Sequence, residues 1–166
     1  MSINDRHDEI TESEIKLADI VIFVIDPELI GDKAYMLKVK EYIDKKISGR
    51  AAFLINRYDV WKDRQEIIEN ELSKVLDHFG IRGCVKLKMS GLFCYVAKNV
   101  LNGRMNLRDV QKMKNIVFED DDGNLVAGRA LTQEHMDKLY KLSNAEELEK
   151  FLFLEYKLRI ASKSRR

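Results

Sequence analysis

The segment FLINRYDVWKD, residues 53–63, changes abruptly from an apolar run to a group of hydrogen-bonding side chains. The apolar part belongs to AAFLIN, residues 51–56, a continuous run that is typical of a strand buried on both faces of a parallel sheet. Asn56, Arg57 and Asp59 follow where this strand ends. We therefore expect these side chains at the carboxyl edge of a sheet, where open α/β proteins bind their ligands.

Strands and amphipathic helices alternate on both sides of this segment. IVIFVID, residues 20–26, is a second continuous apolar run, covered on both faces if the sheet is parallel, whereas CVKLKMS, residues 84–90, alternates and indicates a strand nearer an edge. Apolar residues at helical spacing predict the connecting helices. These helices are expected at 12–18, capped by Thr11, at 32–47, stopped by Gly49, at 67–79 and at 92–101.

The alternation predicts an α/β fold in which right-handed crossovers place helices on the faces of a short parallel sheet of about three strands. We expect a single domain over residues 1–166, with the three-layer α/β core at 1–105 and an extension at 106–166. In the extension, residues 107–116 are expected to be helical, 117–127 to form a β-hairpin, and 132–142 and 145–161 to form helices.

Composition limits the classes of function. The 166 residues are 45% hydrophobic and 34% charged with a formal net charge of +1, which gives no global field for binding nucleic acid. The two cysteines, Cys84 and Cys94, have no metal-ligand spacing. The longest apolar run is too short to span a bilayer, and the first ten residues are polar. We expect a cytoplasmic protein.

The side chains at the end of the predicted strand 51–56 match the hydrogen-bonding edge of guanine. Guanine presents two adjacent donors, N1–H and the 2-amino group, and an ionised carboxylate such as that of Asp59 can accept both. Adenine presents an acceptor at N1 and would be repelled. Asn56 can contact the base or brace the loop, and the stem of Arg57 can cover the ring with its guanidinium in water. Ser90 and Gly91, which follow the third strand, can offer a backbone N–H to guanine O6.

NRYD at 56–59 resembles the guanine-specificity motif Asn-Lys-x-Asp of P-loop GTPases, with arginine in place of lysine, and MSG at 89–91 resembles the Ser-Ala motif of the next strand. The context of these motifs is most similar to the dynamin-like GTPases, especially the mitofusin-type and bacterial branch. The resemblance covers residues 10–105 well and the remainder loosely. It implies the carboxyl half of a P-loop GTPase domain, the half that recognises the base.

The phosphate-binding motif G-x-x-x-x-G-K-[ST] is absent from the chain. Catalysis of phosphoryl transfer depends on groups around the γ-phosphate, so we assign no catalytic residue and expect neither bound magnesium nor hydrolysis by this chain alone. Two hydrogen bonds from a carboxylate, less the cost of immobilising a ligand, predict an affinity for GTP or GDP of about millimolar or weaker. Tight binding would require a complementing half, in a longer protein or from a partner.

The strand at 20–26 would stand at an uncovered edge of such a half domain, and apolar edges tend to pair. We expect self-association through this strand or an additional pairing by the hairpin at 117–127, and contact with a membrane only through a longer parent protein. An alternative function is a non-catalytic interaction or assembly module that has lost nucleotide binding. An unrelated α/β domain with a coincidental motif is a third alternative.

Overall fold

A computed structural model describes residues 14, 15, 18–46 and 51–163 of the chain. These residues divide between two units, with the boundary between Lys88 and Met89. At the start of the first unit, the N–H of Ala18 donates to the carbonyl of Glu14 at 2.8 Å, a helical hydrogen bond within the predicted helix at 12–18. The predicted cap Thr11 and the predicted helix stop at Gly49 lie outside the described residues.

The first unit contains a three-stranded parallel sheet. Its strands are β1 (Val21–Ile25), β2 (Ala51–Ile55) and β3 (Val85–Lys88), hydrogen-bonded in the order β1–β2–β3. Val21 pairs with Ala51 and Ala52 with Val85, and both pairings are parallel. The connecting helices are α1 (Lys33–Lys46) and α2 (Gln65–His78). The predicted α/β class and the short parallel sheet flanked by helices are therefore confirmed.

Both crossover helices of the first unit pack against the same face of the sheet. The strand order β1–β2–β3 means that both crossovers run in the same direction along the sheet, and right-handed crossovers in one direction place their helices on the same face. Phe23 and Phe53 stack on this face with ring centroids 5.4 Å apart, between neighbouring strands. The buried residues of this core come from β1, β2, both helices and the segments that follow them: Ile25, Met36, Val39, Phe53, Ile55, Tyr58, Ile68, Leu72, Leu76 and Ile81.

Strand β1 is an edge of the sheet. The carbonyl of Ile25 accepts from the N–H of Asn56 at 2.9 Å, so the backbone groups of Ile25 point toward β2. Because neighbouring residues of a strand alternate, the N–H and C=O groups of Ile22 and Val24 point outward. Val24 is 54% exposed. The prediction that this strand is covered on both faces is therefore wrong at Val24.

Within the described residues, the second unit contains four α-helical segments, the 3₁₀ turn Gly128–Ala130 and a hairpin. The helices are α3 (Gly91–Leu101), the single turn α4 (Leu107–Val110), α5 (His135–Leu142) and α6 (Ala145–Lys163), and the hairpin is formed by β4 (Val117–Glu119) and β5 (Leu125–Ala127). The hairpin predicted at 117–127 is confirmed, and it forms an antiparallel sheet of its own. The helix predicted at 107–116 is shorter than expected, because Asn106 caps one turn and the chain then turns again before β4.

The second unit has its own hydrophobic core. Its buried residues come from α3, α4, the hairpin and α5: Phe93, Val96, Ala97, Val100, Val110, Ile116, Phe118, Val126, Leu131, Met136 and Leu139. The long helix α6 is joined to this core through polar contacts, since Glu149 accepts from Lys98 of α3 and from Tyr140 of α5. None of the helices in the described part of the chain has the length and apolar character needed to cross a bilayer.

Candidate functional site at the end of strand β2

The backbone changes direction directly after β2. Asn56 extends the parallel pairing by one hydrogen bond to Ile25, and Arg57 then adopts the left-handed conformation, with φ 57° and ψ 26°. Few residues other than glycine adopt this conformation. The carbonyl of Arg57 accepts from the N–H of Val60 at 3.0 Å, which begins the 3₁₀ segment Tyr58–Arg64. This reversal places Asp59 in the first turn after the sheet edge. The 3₁₀ segment is kinked at Trp61, whose φ of −107° and ψ of 30° are not helical.

The guanidinium of Arg57 is paired with two carboxylates from the end of β1. Its Nη1 atom lies 2.9 Å from Asp26 Oδ2 and 3.5 Å from Glu28 Oε1. Asp26 also accepts from the N–H of Glu28 at 3.1 Å and so caps the short 3₁₀ turn Pro27–Leu29. The sequence predicted a guanidinium in water, whereas the structure pairs it with two carboxylates. The pairing arises because the parallel sheet places the ends of β1 and β2 side by side.

The electrostatics of this pair favour both charged forms. The hydrogen bond to Asp26, and the negative charges of Asp26, Glu28 and Asp59, raise the pKa of the Arg57 guanidinium despite some desolvation. Desolvation alone would raise the pKa of Asp26. The hydrogen bonds from Arg57 and from the N–H of Glu28 outweigh it, together with the guanidinium charge, and hold the pKa of Asp26 below its ordinary value of 3.8.

Asp59 is half-buried in the first turn of the 3₁₀ segment. No backbone group or side chain that the structure describes donates a hydrogen bond to its carboxylate, and its interaction with Arg57 is a longer-range electrostatic one. Both oxygens of Asp59 can therefore still accept hydrogen bonds. Buried carboxylates usually have such partners, which makes this one a candidate for binding a ligand. Of the residues predicted to contact guanine, Asn56, Arg57 and Asp59 are thus brought together in one loop.

A polar network attaches this loop to the first unit. The hydroxyl of Tyr58 donates to Glu69 Oε1 of α2 at 2.6 Å, and Lys88 Nζ at the end of β3 lies 2.9 Å from the same oxygen. Lys88 also lies over the Tyr58 ring, 5.1 Å from its centroid. Since Tyr58 is 7% exposed, its ring anchors the start of the 3₁₀ segment in the core while its hydroxyl remains bonded.

Ser90 and Gly91 belong to the second unit. Ser90 is 1% exposed and caps α3, because its Oγ accepts from the N–H of Phe93 at 3.2 Å. Its own N–H donates to the carbonyl of Ser143 at 3.0 Å. A contact from the Ser90 N–H to guanine O6 would therefore require this hydrogen bond to break. Gly91 is the first residue of α3.

Sequence reasoning missed the partners that hold the loop. Asp26, at the end of the strand predicted at 20–26, was expected near the same edge of the sheet as Asn56 but not as the partner of Arg57, and Glu28, Glu69 and Lys88 were not singled out. Opposite charges directly after adjacent parallel strands, as in Asp26 and Arg57, are the signal that could have identified the first pair. The second network joins residues 19 positions apart, Glu69 and Lys88, and has no comparable pattern in the sequence.

Comparison with known proteins identifies no relative: neither a protein-family model, nor a curated protein, nor a solved structure matches this chain. The resemblance to dynamin-like GTPases therefore depends on the residues quoted above and stays a prediction.

Proposed function

We propose that this chain recognises the guanine base, as the base-recognition half of a dynamin-like, P-loop-GTPase-like three-layer domain whose phosphate-binding part is supplied elsewhere. Alone, the chain binds guanine ligands weakly and does not hydrolyse GTP. The carboxylate of Asp59 accepts hydrogen bonds from N1–H and from the 2-amino group of the base. Asn56 braces the loop, and the aliphatic stem of Arg57 lies against the ring. The observation that carries this proposal is the half-buried Asp59 carboxylate, in the first turn after the sheet edge, to which no described backbone group or side chain donates a hydrogen bond.

The left-handed backbone at Arg57 supports the same proposal. A non-glycine residue in this conformation costs about 1 kcal/mol or more and persists where the surrounding structure holds it. Here the ion pair to Asp26 and the buried Tyr58 ring hold the residues on both sides of the peptide. A carboxylate on a loop fixed in this way can meet two donors at a defined angle without further ordering, which lowers the entropic cost of binding.

The proposal is tested by ligand-observed NMR with guanosine, adenosine and xanthosine at millimolar concentration. The wild-type chain is expected to bind guanosine in preference to adenosine. Asp59→Asn replaces one acceptor oxygen with a donor amide, so the variant is expected to lose guanosine and to tolerate xanthosine, which has a carbonyl at position 2. Asp63→Asn, the same substitution at an exposed position just beyond the kink at Trp61, is the matched control. Equal signals for guanosine and adenosine in the wild type would exclude guanine recognition.

A second candidate function is a non-catalytic assembly module in which two copies of the chain meet at β1. The edge position of β1 and the exposed Val24 favour it. A shallow apolar groove of about 370 Å³ also lies along this strand, lined by Ile15, Ala18, Ile20, Val21 and Ile22 with Glu14. Sedimentation velocity over a range of concentrations tests this candidate. A monomer at all concentrations, for the wild type and for Val24→Lys alike, would exclude it.

A further inference from the structure

The second half of α6 exposes large apolar side chains to solvent. Leu152, Phe153, Leu154, Tyr156 and Leu158 are between 40% and 65% exposed. Single exposed apolar residues are ordinary on a protein surface, but a contiguous group of them on one helix marks a contact surface.

One side of α6 faces the core of its own unit. Ala145 is 3% exposed, and Glu149 accepts hydrogen bonds from α3 and α5. At 3.6 residues per turn, Leu152 and Tyr156 continue along this same side of the helix. These two side chains therefore extend a side of α6 that already has a neighbour at its start.

The opposite side of α6 carries a stripe formed by Phe151, Leu154 and Leu158. Their spacing of three and four residues is that of the a and d positions of a heptad, which a second helix buries in a coiled coil. Leu154 and Leu158 are 59% and 65% exposed. Phe153 lies outside this stripe, where Lys157 Nζ covers it at 4.4 Å from the ring centroid.

The charges of α6 are divided between its two halves. Residues 145–154 contain three glutamates and one lysine, a net charge of −2, whereas residues 155–163 contain one glutamate, two lysines and one arginine, a net charge of +2. In an antiparallel pair of α6 helices each half meets the half of opposite charge, and in a parallel pair like charges meet. The helix is therefore complementary to a second copy of itself in the antiparallel orientation.

Part of the acidic charge is already used within the chain. Glu149 is paired with Lys98, and Glu146 lies 3.5 Å from Lys150. Glu147 is exposed, forms no ion pair with a described side chain, and lies one turn before Phe151 on the same side of the helix. Glu147 is thus the acidic residue of α6 best placed to meet the basic half of a second copy.

We infer that α6 is a dimerisation helix, and that Phe151, Leu154 and Leu158 of two copies of this chain pack against each other with the helices antiparallel. A membrane surface fits this helix less well. A helix that lies on a membrane has one apolar side and one polar side rich in basic residues, whereas α6 is apolar on two sides and acidic in its first half. The inference does not depend on guanine recognition and concerns a different surface from the edge of β1.

Sedimentation velocity of the full chain over a range of concentrations tests this inference. The wild type is expected to show an equilibrium between monomer and dimer. Leu154→Glu is expected to raise the dissociation constant of the dimer at least about tenfold, because a leucine side chain is no longer buried. Leu37→Glu, at an exposed leucine of α1, is the matched control and is expected to dimerise like the wild type. Far-ultraviolet circular dichroism verifies that both variants are folded.

Glu147→Lys tests the orientation of the helices. The substitution makes the first half of α6 neutral, so an antiparallel dimer loses attraction and is expected to weaken by about two- to fivefold, as for an exposed ion pair. A parallel dimer would instead lose repulsion and become tighter, which would overturn the antiparallel arrangement. Glu66→Lys, at an exposed acidic residue in the first turn of α2, is the matched control.

Three results would overturn dimerisation through α6. The first is a wild type that stays monomeric at all concentrations. The second is a dimer that Val24→Lys abolishes and Leu154→Glu leaves intact, because the interface would then lie at β1. The third is a monomer that cosediments with vesicles of phosphatidylcholine and phosphatidylserine and loses this binding in Leu154→Glu, which would assign α6 to a membrane surface.

Discussion

Arg57 and Asp26 join the ends of two adjacent parallel strands through an ion pair between residues 31 positions apart, with Nη1 2.9 Å from Oδ2. The pair fixes the position of the peptide that begins the 3₁₀ segment with Asp59. Residues far apart in the chain thus determine the geometry of a loop that the sequence motif describes only locally.

Asp26→Asn separates the charge of Asp26 from its capping role, because asparagine also caps well. The pair is partly exposed, with 45% and 30% of the two side chains accessible, so the loss in free energy of unfolding at pH 7 is expected to be about 0.2–1 kcal/mol. Asp26→Ala removes the cap to Glu28 as well and should cost about 0.5 kcal/mol more. Urea denaturation of the three proteins measures both differences.

The same variant predicts a dependence on pH. Because the folded pKa of Asp26 lies below its ordinary value of 3.8, the ionised carboxylate stabilises the fold above the unfolded pKa, and this contribution is lost as the pH falls through the folded pKa. The difference in stability between the wild type and Asp26→Asn should therefore be constant near pH 7 and narrow below about pH 4. A difference that widens toward low pH would contradict the assignment of the stabilising form to the carboxylate.

Tyr58→Phe is expected to lower the free energy of unfolding by about 1–2 kcal/mol, because a nearly buried ring loses a 2.6 Å hydrogen bond to an ionised carboxylate. Tyr95→Phe is the control, since Tyr95 is 58% exposed. Because the Tyr58 hydroxyl is expected to hold the loop rather than to touch the base, Tyr58→Phe should also bind guanosine more weakly than the wild type. Equal stability of the two variants would show that the contact to Glu69 contributes nothing.

Tyr35→Phe tests how the free edge of β1 is protected. The Tyr35 hydroxyl donates to the outward carbonyl of Val24 at 3.2 Å, a group that an added strand would otherwise use. Removing the hydroxyl is expected to increase self-association, seen as a larger sedimentation coefficient at high concentration. Tyr42→Phe, on the same helix, is expected to behave as the wild type. Unchanged sedimentation of Tyr35→Phe would show that this bond does not protect the edge.

Core truncations provide a scale for these effects. Phe53 in the first unit and Leu139 in the second are both 0% exposed. Phe53→Ala is expected to cost about 3–5 kcal/mol and Leu139→Ala about 2–5 kcal/mol. Leu125→Ala, at a position that is 72% exposed, should change the free energy of unfolding by less than about 0.5 kcal/mol. Denaturant titration with far-ultraviolet circular dichroism distinguishes these outcomes.

Local patterns in the sequence determined the secondary structure of the first unit well. The continuous apolar runs became β1 and β2, and the alternating run became the edge strand β3. These predictions succeed because burial of one or both faces of a strand determines whether each side chain of a short segment is apolar or polar. The helix predicted at 107–116 was too long, since the structure has a single helical turn at Leu107–Val110. The residues after Val110 have preferences compatible with a helix, so the sequence contains no clear signal for where it ends.

The sequence by itself determined the α/β class, the strand and helix segments and the polar residues that follow β2. Only the tertiary structure decided that Arg57 is paired with Asp26 and Glu28, that Tyr58 is held by Glu69, and that Ser90 is buried as a helix cap. The physical reason is the range of the interactions involved. Periodicity, turns and caps act between residues a few positions apart, whereas the ion pairs depend on which strand ends the fold brings together, and the burial of Ser90 depends on what packs around it.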